Sequence, residues 1–346
     1  MFPGAGAGGY NINATTARLS ASTAVYEKKL AQVVFKANPF LEHMYKKMKT
    51  INGGIEYAMI FEYGEMPGFS ETGGSKLYSY AEELNVGISD NVKTATTPLK
   101  SFATPAYISK KELRENVDGH FDLWQQKLKN SAMSAKNRLA EMIWGTSGGA
   151  SGSVIVPITT IITGAGLITA GRPASCFGLT KSSNTWMYSQ EYAAVGEFAD
   201  NGLKALVKLF NDCSINAPSA EEHPTLCMMP QTMFESYHDL MPPQYRTSSL
   251  ATGDLGFRQL EFMGIPVRFE RDSKFPNDPS NAYQFFMVNN DYLKIVVDQN
   301  ENFKTGPWVD LHPNRPGIQT QIYWSGLQAC LNFATQGVGY GVTINT

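Results

Sequence analysis

The stretch HFDLWQQKLKNSAMSAKNRLAEMIWG, residues 120–145, contains the longest amphipathic pattern in the chain. Its apolar residues recur at spacings of three and four, and they are Phe121, Trp124, Leu128, Ala132, Ala135, Leu139 and Met142. The charged residues Lys127, Lys129, Lys136, Arg138 and Glu141 fall mainly on the other faces. This period predicts a helix from Phe121 to Trp144 with a single apolar stripe. At about 1.5 Å per residue the helix is roughly 36 Å long, enough for a sheet to pack along it.

Residues on both sides of this helix are typical of helix ends. Upstream, Ser109 and Glu112 have the spacing of a capping box, in which the two side chains satisfy backbone N–H groups at a helix start. They predict a short first helix that breaks near Gly119. Downstream, Gly145 and the glycines after it are expected to end the long helix.

The composition indicates a folded protein of nearly neutral charge. The chain has 346 residues, of which 42% are hydrophobic, so it can bury a large core and form two or three domains. Its 29 basic and 31 acidic residues give a formal charge of −2. Because strong binding of a phosphate backbone needs concentrated Lys and Arg, this balance argues against a protein that wraps nucleic acid by itself.

The cysteines and the apolar segments give no sign of disulfides, secretion or a membrane span. None of the four cysteines forms a CxxC pair, so Cys176, Cys213, Cys227 and Cys330 are expected to be reduced, partly buried thiols. The N-terminal sequence MFPGAGAGGYNIN lacks a basic region followed by an apolar one, and so predicts no signal peptide. Residues 154–170 are uncharged but contain a proline and two glycines and are short for a membrane helix. We therefore expect no membrane partner.

The residues before the long helix predict an arm and a long β-hairpin. Residues 1–20 are rich in Gly, Ala, Ser and Thr, as flexible arms are, and a helical pattern over 24–48 is interrupted at Asn38-Pro39. Apolar and polar residues alternate over 55–63 and again between 84 and 105, which predicts two long strands. An isolated hairpin of this length has too little core to be stable. We expect it to lie on another surface, which a single subunit does not obviously provide.

The segment after the long helix is expected to be buried, and two further helices follow it. Residues 145–185 have few charges and many Gly and Thr, which favours strands and turns buried against another part of the protein or another subunit. Helices are predicted at 201–213 and 231–240. The apolar face of the first is predicted to comprise Leu203, Leu206, Val207 and Phe210.

The remaining residues predict strands, which gives an α+β fold. Tyr283–Val288 and Leu293–Val297 are predicted to pair as a hairpin across Asn289-Asn290-Asp291. The residues from Gln319 to Ile344 alternate as further strands. Helices and strands are interleaved without a regular βαβ period, so an α+β fold is favoured over a doubly wound sheet.

No motif in the chain supports catalysis. Residues 145–149 match GxSxG, with Ser147 as the nucleophile, but that motif needs a preceding strand and a following helix, and here a helix precedes it. Gly4, Gly6 and Gly9 match GxGxxG outside any βαβ unit. The histidines, His43, His120, His223, His238 and His312, lack close metal-ligand spacing. We expect no catalytic, cofactor-binding or metal-binding residues, and no cofactor.

Several short sequences, mostly in the second half of the chain, occur together in a characteristic order. They are 252–257 (TGDLGF), 260–267 (LEFMGIPV), 286–289 (FMVN), 292–295 (YLKI), 322–327 (IYWSGL), and Asn332 with Gln336-Gly337. In this order they resemble the major capsid proteins of tailed double-stranded DNA phages, which have the Hong Kong 97-type fold. The resemblance extends from about residue 30 to the end of the sequence.

The resemblance implies five segments. It implies an N-terminal arm at 1–54, an extended β-hairpin loop at 55–105 that lies over a neighbouring subunit, and a peripheral domain at 106–199 whose spine helix is the long helix. It further implies an axial domain at 200–310 and C-terminal strands at 311–346 that return to the peripheral domain. The arm is too short to contain a fused scaffolding domain, so a separate scaffolding protein, or none, is implied.

The resemblance also implies a function. The chain would be a non-enzymatic shell subunit that assembles into hexamers and pentamers and closes an icosahedral capsid around double-stranded DNA. Its implied partners are copies of itself, a portal protein, and scaffolding or decoration proteins. Its implied location is the virion head, after assembly in the host cytoplasm. Two alternatives stay open: an encapsulin-like nanocompartment shell of the same fold, and, in a different class, a serine hydrolase that uses Ser147.

Overall fold

The structure is a computed structural model, and it describes residues 38–63, 92–115, 123–145, 155–219, 221–241, 260–310 and 316–344. The α-helices are α1 (Pro39–Lys46), α2 (Lys110–Glu115), α3 (Leu123–Trp144), α4 (Ile158–Ile161), α5 (Ala165–Thr169), α6 (Phe198–Ile215) and α7 (Gln231–Leu240). Two 3-10 helices span Lys181–Ser183 and Thr185–Met187. The strands are β1 (Lys49–Ile51), β2 (Glu56–Glu62), β3 (Val92–Pro98), β4 (Lys100–Ser109), β5 (Ser175–Cys176), β6 (Leu179–Thr180), β7 (Gln190–Tyr192), β8 (Gly196–Glu197), β9 (Leu226–Pro230), β10 (Leu260–Phe262), β11 (Ile265–Glu270), β12 (Tyr283–Val288), β13 (Leu293–Thr305), β14 (Val309–Asp310), β15 (Gly317–Cys330) and β16 (Gly337–Thr343).

Two mixed sheets form the framework. In sheet I, β15 pairs with β13 and β14 along one edge and with β4 along the other, while β1 adds in parallel to β13. Sheet II has the strand order β10-β11-β9-β12-β16-β7, with β8 also beside β16. Strands β2 and β3 form a separate antiparallel ribbon, and β5 and β6 form a small one. The predicted α+β class is confirmed.

The long helix predicted from the sequence is present as α3 and packs against β4 and β15 of sheet I. Ala135 and Leu139 of the predicted stripe are completely buried. Three other members are half-buried, namely Leu128, Ala132 and Met142. Phe121 lies outside the described residues. The stripe therefore points into the core most fully in the C-terminal half of the helix.

Trp144 fixes the C-terminal end of α3. Its ring centroid lies 4.6 Å from that of Phe40 in α1, 4.8 Å from that of Phe275, and 5.9 Å from that of Phe286 in β12. Tilted aromatic pairs at these separations add to the stabilisation from burial alone. Since β12 belongs to sheet II, Trp144 joins the helix that supports sheet I to the second sheet.

The predicted capping box is present at the start of α2. The Ser109 N–H donates to Glu112 Oε2 at 3.0 Å, and the Lys111 N–H donates to Ser109 Oγ at 3.3 Å. Glu112 also accepts from Lys127 Nζ of α3 at 2.7 Å. The carboxylate therefore caps one helix and ties it to the next.

Sheet II separates two apolar cores. Along β9, Cys227 and Met229 belong to the core beneath α6 and α7, whereas Leu226 and Met228 belong to the core that contains α3. All four residues are completely buried. A strand buried on both faces explains why its sequence is continuously apolar and does not alternate.

Helix α6 is present, and its predicted apolar face was half correct. Leu206 is buried and Phe210 packs against the same core, whereas Leu203 and Val207 are about 40% exposed. The other residues of the buried face are Phe198, Gly202, Ala205, Leu209 and Cys213. The Phe198 ring lies so close to Gly202 that an added Cβ would come within 2.6 Å of it. Gly202 therefore belongs to the buried face because it leaves room for the Phe198 ring of the same helix, and a ranking by hydrophobicity alone misses this.

The predicted hairpin between Tyr283–Val288 and Leu293–Val297 was wrong. Strand β12 pairs with β9 and β16 in sheet II, whereas β13 pairs with β1 and β15 in sheet I. The connecting Asn289 and Asn290 are buried and bonded to distant residues. The Asn289 N–H donates to Gln336 Oε1 at 2.9 Å, and Asn290 Nδ2 donates to the His43 carbonyl at 3.2 Å. The polar turn therefore connects two sheets inside the protein.

Residues 155–187 are only partly buried, with Ile158, Ile161, Ile162 and Leu167 in the core, and the prediction of strands and turns alone was wrong. Ile158–Ile161 and Ala165–Thr169 are short helices, α4 and α5, and only two-residue strands follow them. Each helix is about one turn long. One turn is too short to produce a visible 3.6-residue period, so the pattern of Gly and Thr dominated the prediction.

Sheet membership crosses the segment boundaries implied by the resemblance. Strand β4 continues from the hairpin segment 55–105 into sheet I, and β13 of the segment 200–310 lies in the same sheet. Strand β16 of the segment 311–346 lies in sheet II. Each sheet thus contains strands from more than one of the implied segments. The assignment of these segments as arm, loop, peripheral domain and axial domain stays a prediction.

Candidate assembly surfaces

The base of the β2–β3 ribbon packs on the core of its own chain. The Phe61 ring centroid lies 4.9 Å from that of Trp186 and 5.9 Å from that of Phe333. Met59 is also completely buried. The expectation that one subunit provides no surface for this hairpin was therefore wrong at its base. The part between the two strands, residues 64–91, lies outside the described residues.

The opposite face of the ribbon is exposed and combines aliphatic and acidic side chains. Ile60 is 71% exposed and Val92 is 51% exposed. Glu56 and Glu62 lie on the same face, since residues two apart share a face of a strand. Neither carboxylate has an ion-pair partner among the described residues. We call these four residues the ribbon face.

Sheet I has one covered face and one uncovered face. Helix α3 covers one side, while Tyr107, Val309 and Tyr323 are exposed on the other. The register places Tyr107 and Val309 on either side of Gln319. The Tyr107 ring lies over Gly317, so its position depends on the absence of a Cβ there. We call this exposed, partly aromatic surface the outer face of sheet I.

Two buried cations hold the backbone of the segment after α3. Lys181 Nζ donates to the carbonyls of Ile161 at 2.8 Å and Thr163 at 3.2 Å. Arg172 Nη1 donates to the carbonyls of Thr159 and Ile162, each at 3.2 Å. The two side chains therefore satisfy four carbonyls within five residues at the end of α4, where helix carbonyls need partners.

Burial lowers the pKa of both cations. Loss of hydration lowers the pKa of Lys181 to about 8, against which the nearby thiols of Cys176 and Cys330 act weakly. The same cause lowers the pKa of Arg172 to about 10. The sequence analysis did not identify this pair. The available signal was that Arg172 and Lys181 are the first charged residues after a long uncharged run.

Three of the four basic residues of α3 have partners within the chain. Lys127 pairs with Glu112, and Arg138 Nη1 lies 3.4 Å from Glu141 Oε2. Lys136 Nζ lies 5.9 Å from the centroid of the Phe303 ring. The charged side of the helix is thus partly neutralised by neighbouring side chains, as a solvated helix face commonly is.

Of the residues weighed for enzyme chemistry, the structure describes the four cysteines and His43, His223 and His238. Ser147 lies outside the described residues. The cysteines Cys176, Cys213, Cys227 and Cys330 are buried without disulfides, and burial raises the pKa of each thiol. Burial, reinforced by Arg268, lowers the pKa of His43 to about 4, so this imidazole is neutral at physiological pH.

Within the described ranges, no three His, Cys, Asp or Glu residues are grouped as metal ligands. No helix in the same ranges is long and apolar enough to cross a membrane. The exposed apolar side chains of the described residues include those of the ribbon face, the outer face of sheet I, and Leu203 and Val207 of α6.

Comparison with solved structures identifies shells of the same architecture. One structure, described as "Capsid of native GTA particle computed with C5 symmetry", is 16% identical to this chain with a TM-score of 0.62, and the match covers 94% of this chain and 97% of that one. The cyanophage A-1(L) capsid is 11% identical with a TM-score of 0.60, covering 94% and 99%. The holo-SrpI encapsulin complex from Synechococcus elongatus is 10% identical with a TM-score of 0.57, covering 96% and 97%.

The likeness is one of fold and not of sequence. No family model matches the sequence, and none of the curated proteins matches it. The matches nevertheless cover 94% of this chain, so the likeness in fold extends over nearly its whole length. The chain therefore has the Hong Kong 97-type capsid fold.

Proposed function

We propose that this chain is the major capsid protein of a tailed double-stranded DNA phage. Its role is structural: it assembles into hexamers and pentamers that form the icosahedral head shell. The observation that carries the proposal is the match over more than nine-tenths of both chains to the capsids of a GTA particle and a cyanophage.

The uncovered surfaces of the chain support a role in assembly. Ile60 and Val92 on the ribbon face, and Tyr107 and Tyr323 on the outer face of sheet I, are large apolar side chains left in water. Contiguous exposed apolar surface on a soluble protein commonly marks a contact with another macromolecule. The two faces lie on different elements of one chain, so contacts between copies can be heterologous and close into rings.

Other components of the particle are part of the proposal. The extended hairpin of one subunit lies over its neighbour, and a portal protein and separate scaffolding or decoration proteins join the shell. The formal charge of −2 means that the shell holds DNA mainly by closure, without sequence-specific binding. Assembly takes place in the host cytoplasm, and the product is part of the virion.

Electron microscopy of the purified, expressed chain tests the proposal. We expect closed shells, or rings of five and six subunits, and only weak, salt-sensitive binding of duplex DNA by unassembled subunits. A chain that stays monomeric at all concentrations, with and without its genomic neighbours, would contradict the proposal. A variant that lacks residues 64–80 is expected to stay folded but to lose shell closure, and normal shells from that variant would refute the role given to the hairpin.

A nanocompartment shell is the second candidate, because the fold also matches an encapsulin. The contents of the native particles distinguish the two. Nuclease-protected double-stranded DNA of uniform length is expected for a phage head, whereas a co-purifying enzyme without DNA would favour the nanocompartment. The hydrolase alternative predicts that Ser147→Ala abolishes an esterase activity, and an inactive wild-type chain would eliminate it.

A further inference from the structure

One edge of strand β4 is partly unpaired among the described residues. It continues directly from β3, and together they form one extended stretch from Val92 to Ser109. Successive residues of a strand direct their backbone N–H and C=O groups to opposite edges. The Leu99 N–H donates to the Ile55 carbonyl at 3.1 Å on the side of β2, while the Ser109 N–H donates to Glu112 and the Pro105 carbonyl accepts from Ser131. Leu99, Pro105 and Ser109 are odd-numbered, and none of these backbone groups bonds to β15. The backbone groups of the odd-numbered residues therefore point to the edge of β4 that faces away from β15, which we call the odd edge.

Part of this odd edge is closed by the chain itself. Strand β2 covers it as far as Ile55, where Gly53 and Gly54, with φ of +71° and +124°, turn the chain away into β1. Such positive φ angles suit glycine, which has no Cβ to clash. At the other end, Pro105 has no N–H to offer, and its carbonyl is taken by Ser131 Oγ at 3.0 Å.

Between these two ends lies an open window. The N–H and C=O groups of Ser101 and Ala103 point to the odd edge and have no backbone partner among the described residues. Both side chains are small and exposed. The distance from Leu99 to Pro105 is roughly 20 Å at about 3.3 Å per residue, enough for a short extended segment. We call residues 100–104 the β4 window.

The charges around the window indicate what fits it. From Val92 to Lys111 the sequence carries four lysines and no carboxylate, and although Lys110 pairs with Asp310 at 3.4 Å, Lys100 lies within the window itself, so an acidic segment is favoured. The ribbon face of the same protein has this character, because its strand β2 carries Glu56 and Glu62 and has an unpaired outer edge. Within one subunit β2 is already held beside β3, so it cannot also enter the window of its own chain.

We propose that the β4 window is a backbone-pairing site for an extended strand of a second copy of this chain. This proposal rests on the proposed shell function. It adds that copies of the chain are joined by main-chain hydrogen bonds at Ser101 and Ala103. Addition of a strand to an exposed sheet edge is a general mode of protein association, and unprotected edges are otherwise a liability. Proline at 105 and the cap on Ser109 confine the pairing to the window.

Hydrogen exchange in the wild-type protein tests the proposal directly. The amides of Ser101 and Ala103 are expected to exchange freely in the unassembled subunit and at least about tenfold more slowly in shells made from the chain alone. Shells in which these amides stay unprotected would overturn the inference and leave the proposed function intact. A chain that forms no oligomer at all would overturn both.

A proline substitution gives a second test. Ala103→Pro removes only an N–H that points away from β15, and Pro105 shows that the strand accepts proline at this parity. We expect the subunit to unfold at the wild-type temperature but to assemble at least about tenfold less at equal concentration, whereas Ala103→Val, which keeps the N–H, is expected to assemble normally. Equal assembly of the two variants would contradict the proposal. In the exchange experiment, protection of the Ser101 and Ala103 amides that appears only when a different protein is added would also contradict it.

Discussion

Replacement of Lys181 by methionine tests whether a buried cation holds the segment after the long helix. Lys181 is completely buried, and its ammonium group contacts two backbone carbonyls and the face of Phe333. No carboxylate forms an ion pair with it among the described residues. The ammonium group is therefore stabilised by two carbonyl dipoles and an aromatic ring without an opposite charge. The contribution of Lys181 to the free energy of unfolding should then depend on pH.

The sign and size of this dependence follow from the pKa. The pKa of Lys181 falls from 10.5 in the unfolded chain to about 8 in the folded one. Between these values the unfolded state binds more protons, so the free energy of unfolding rises with pH. The full difference corresponds to about 3 kcal/mol, and about 2 kcal/mol of it falls between about pH 7 and pH 9.5.

The assay compares variants at several pH values. Denaturant unfolding of the unassembled wild type and of Lys181→Met is measured across this range, and the difference between them cancels the other titrating groups. We expect wild type to gain about 2 kcal/mol relative to Lys181→Met as the pH rises. Lys204→Met, at an exposed position of α6, is the control and should leave the pH slope of the wild type unchanged. A difference that does not vary with pH would refute the reasoning.

Three further changes test packing, capping and the hairpin base. Trp144→Ala is expected to cost about 3–5 kcal/mol in denaturant unfolding, against about 0.5 kcal/mol for the half-exposed Leu203→Ala, and similar losses would contradict the packing described for α3. Glu112→Ala should cost about 1 kcal/mol, because it removes the cap on α2, and an unchanged stability would show that the cap is dispensable. Phe61→Ala should speed hydrogen exchange in β3 at least about tenfold without affecting α7. If β3 exchanges at the same rate in the variant and in the wild type, the ribbon is held by other contacts.

Local patterns predicted those elements whose residues interact mainly with near neighbours. The period of the long helix, the capping box at Ser109 and Glu112, and helix α7 were all predicted correctly, because each depends on spacings of three or four residues. Alternation likewise located β2 and its buried face, including Met59 and Phe61. No comparable sequence signal marks an assembly surface. Ile60 and Phe61 are both hydrophobic residues in the sequence, and only the structure shows that Ile60 is exposed and Phe61 is buried.

The errors concern residues whose partners are distant in the chain. Asn289 and Asn290 have the composition of a surface turn, yet they are buried because Gln336 and His43 supply their hydrogen bonds. Their sequence alone cannot show that the strands on either side enter different sheets. The face of α6 was misjudged for a different reason: Gly202 lies on the buried side, where the ring of Phe198, four residues earlier in the same helix, occupies the space of its missing side chain, and a ranking by hydrophobicity gives glycine no weight.

The amino-acid sequence thus determined the long helix, the strand that begins the hairpin, the α+β class and, through short ordered phrases, the resemblance to capsid proteins. Long-range packing determined the rest: the exchange of strands between two sheets, the burial of Lys181 and Arg172, and the unpaired edge at Ser101 and Ala103. The physical reason is that periodicity reports which residues share a face, whereas pairing and burial depend on which distant segment occupies the adjacent space.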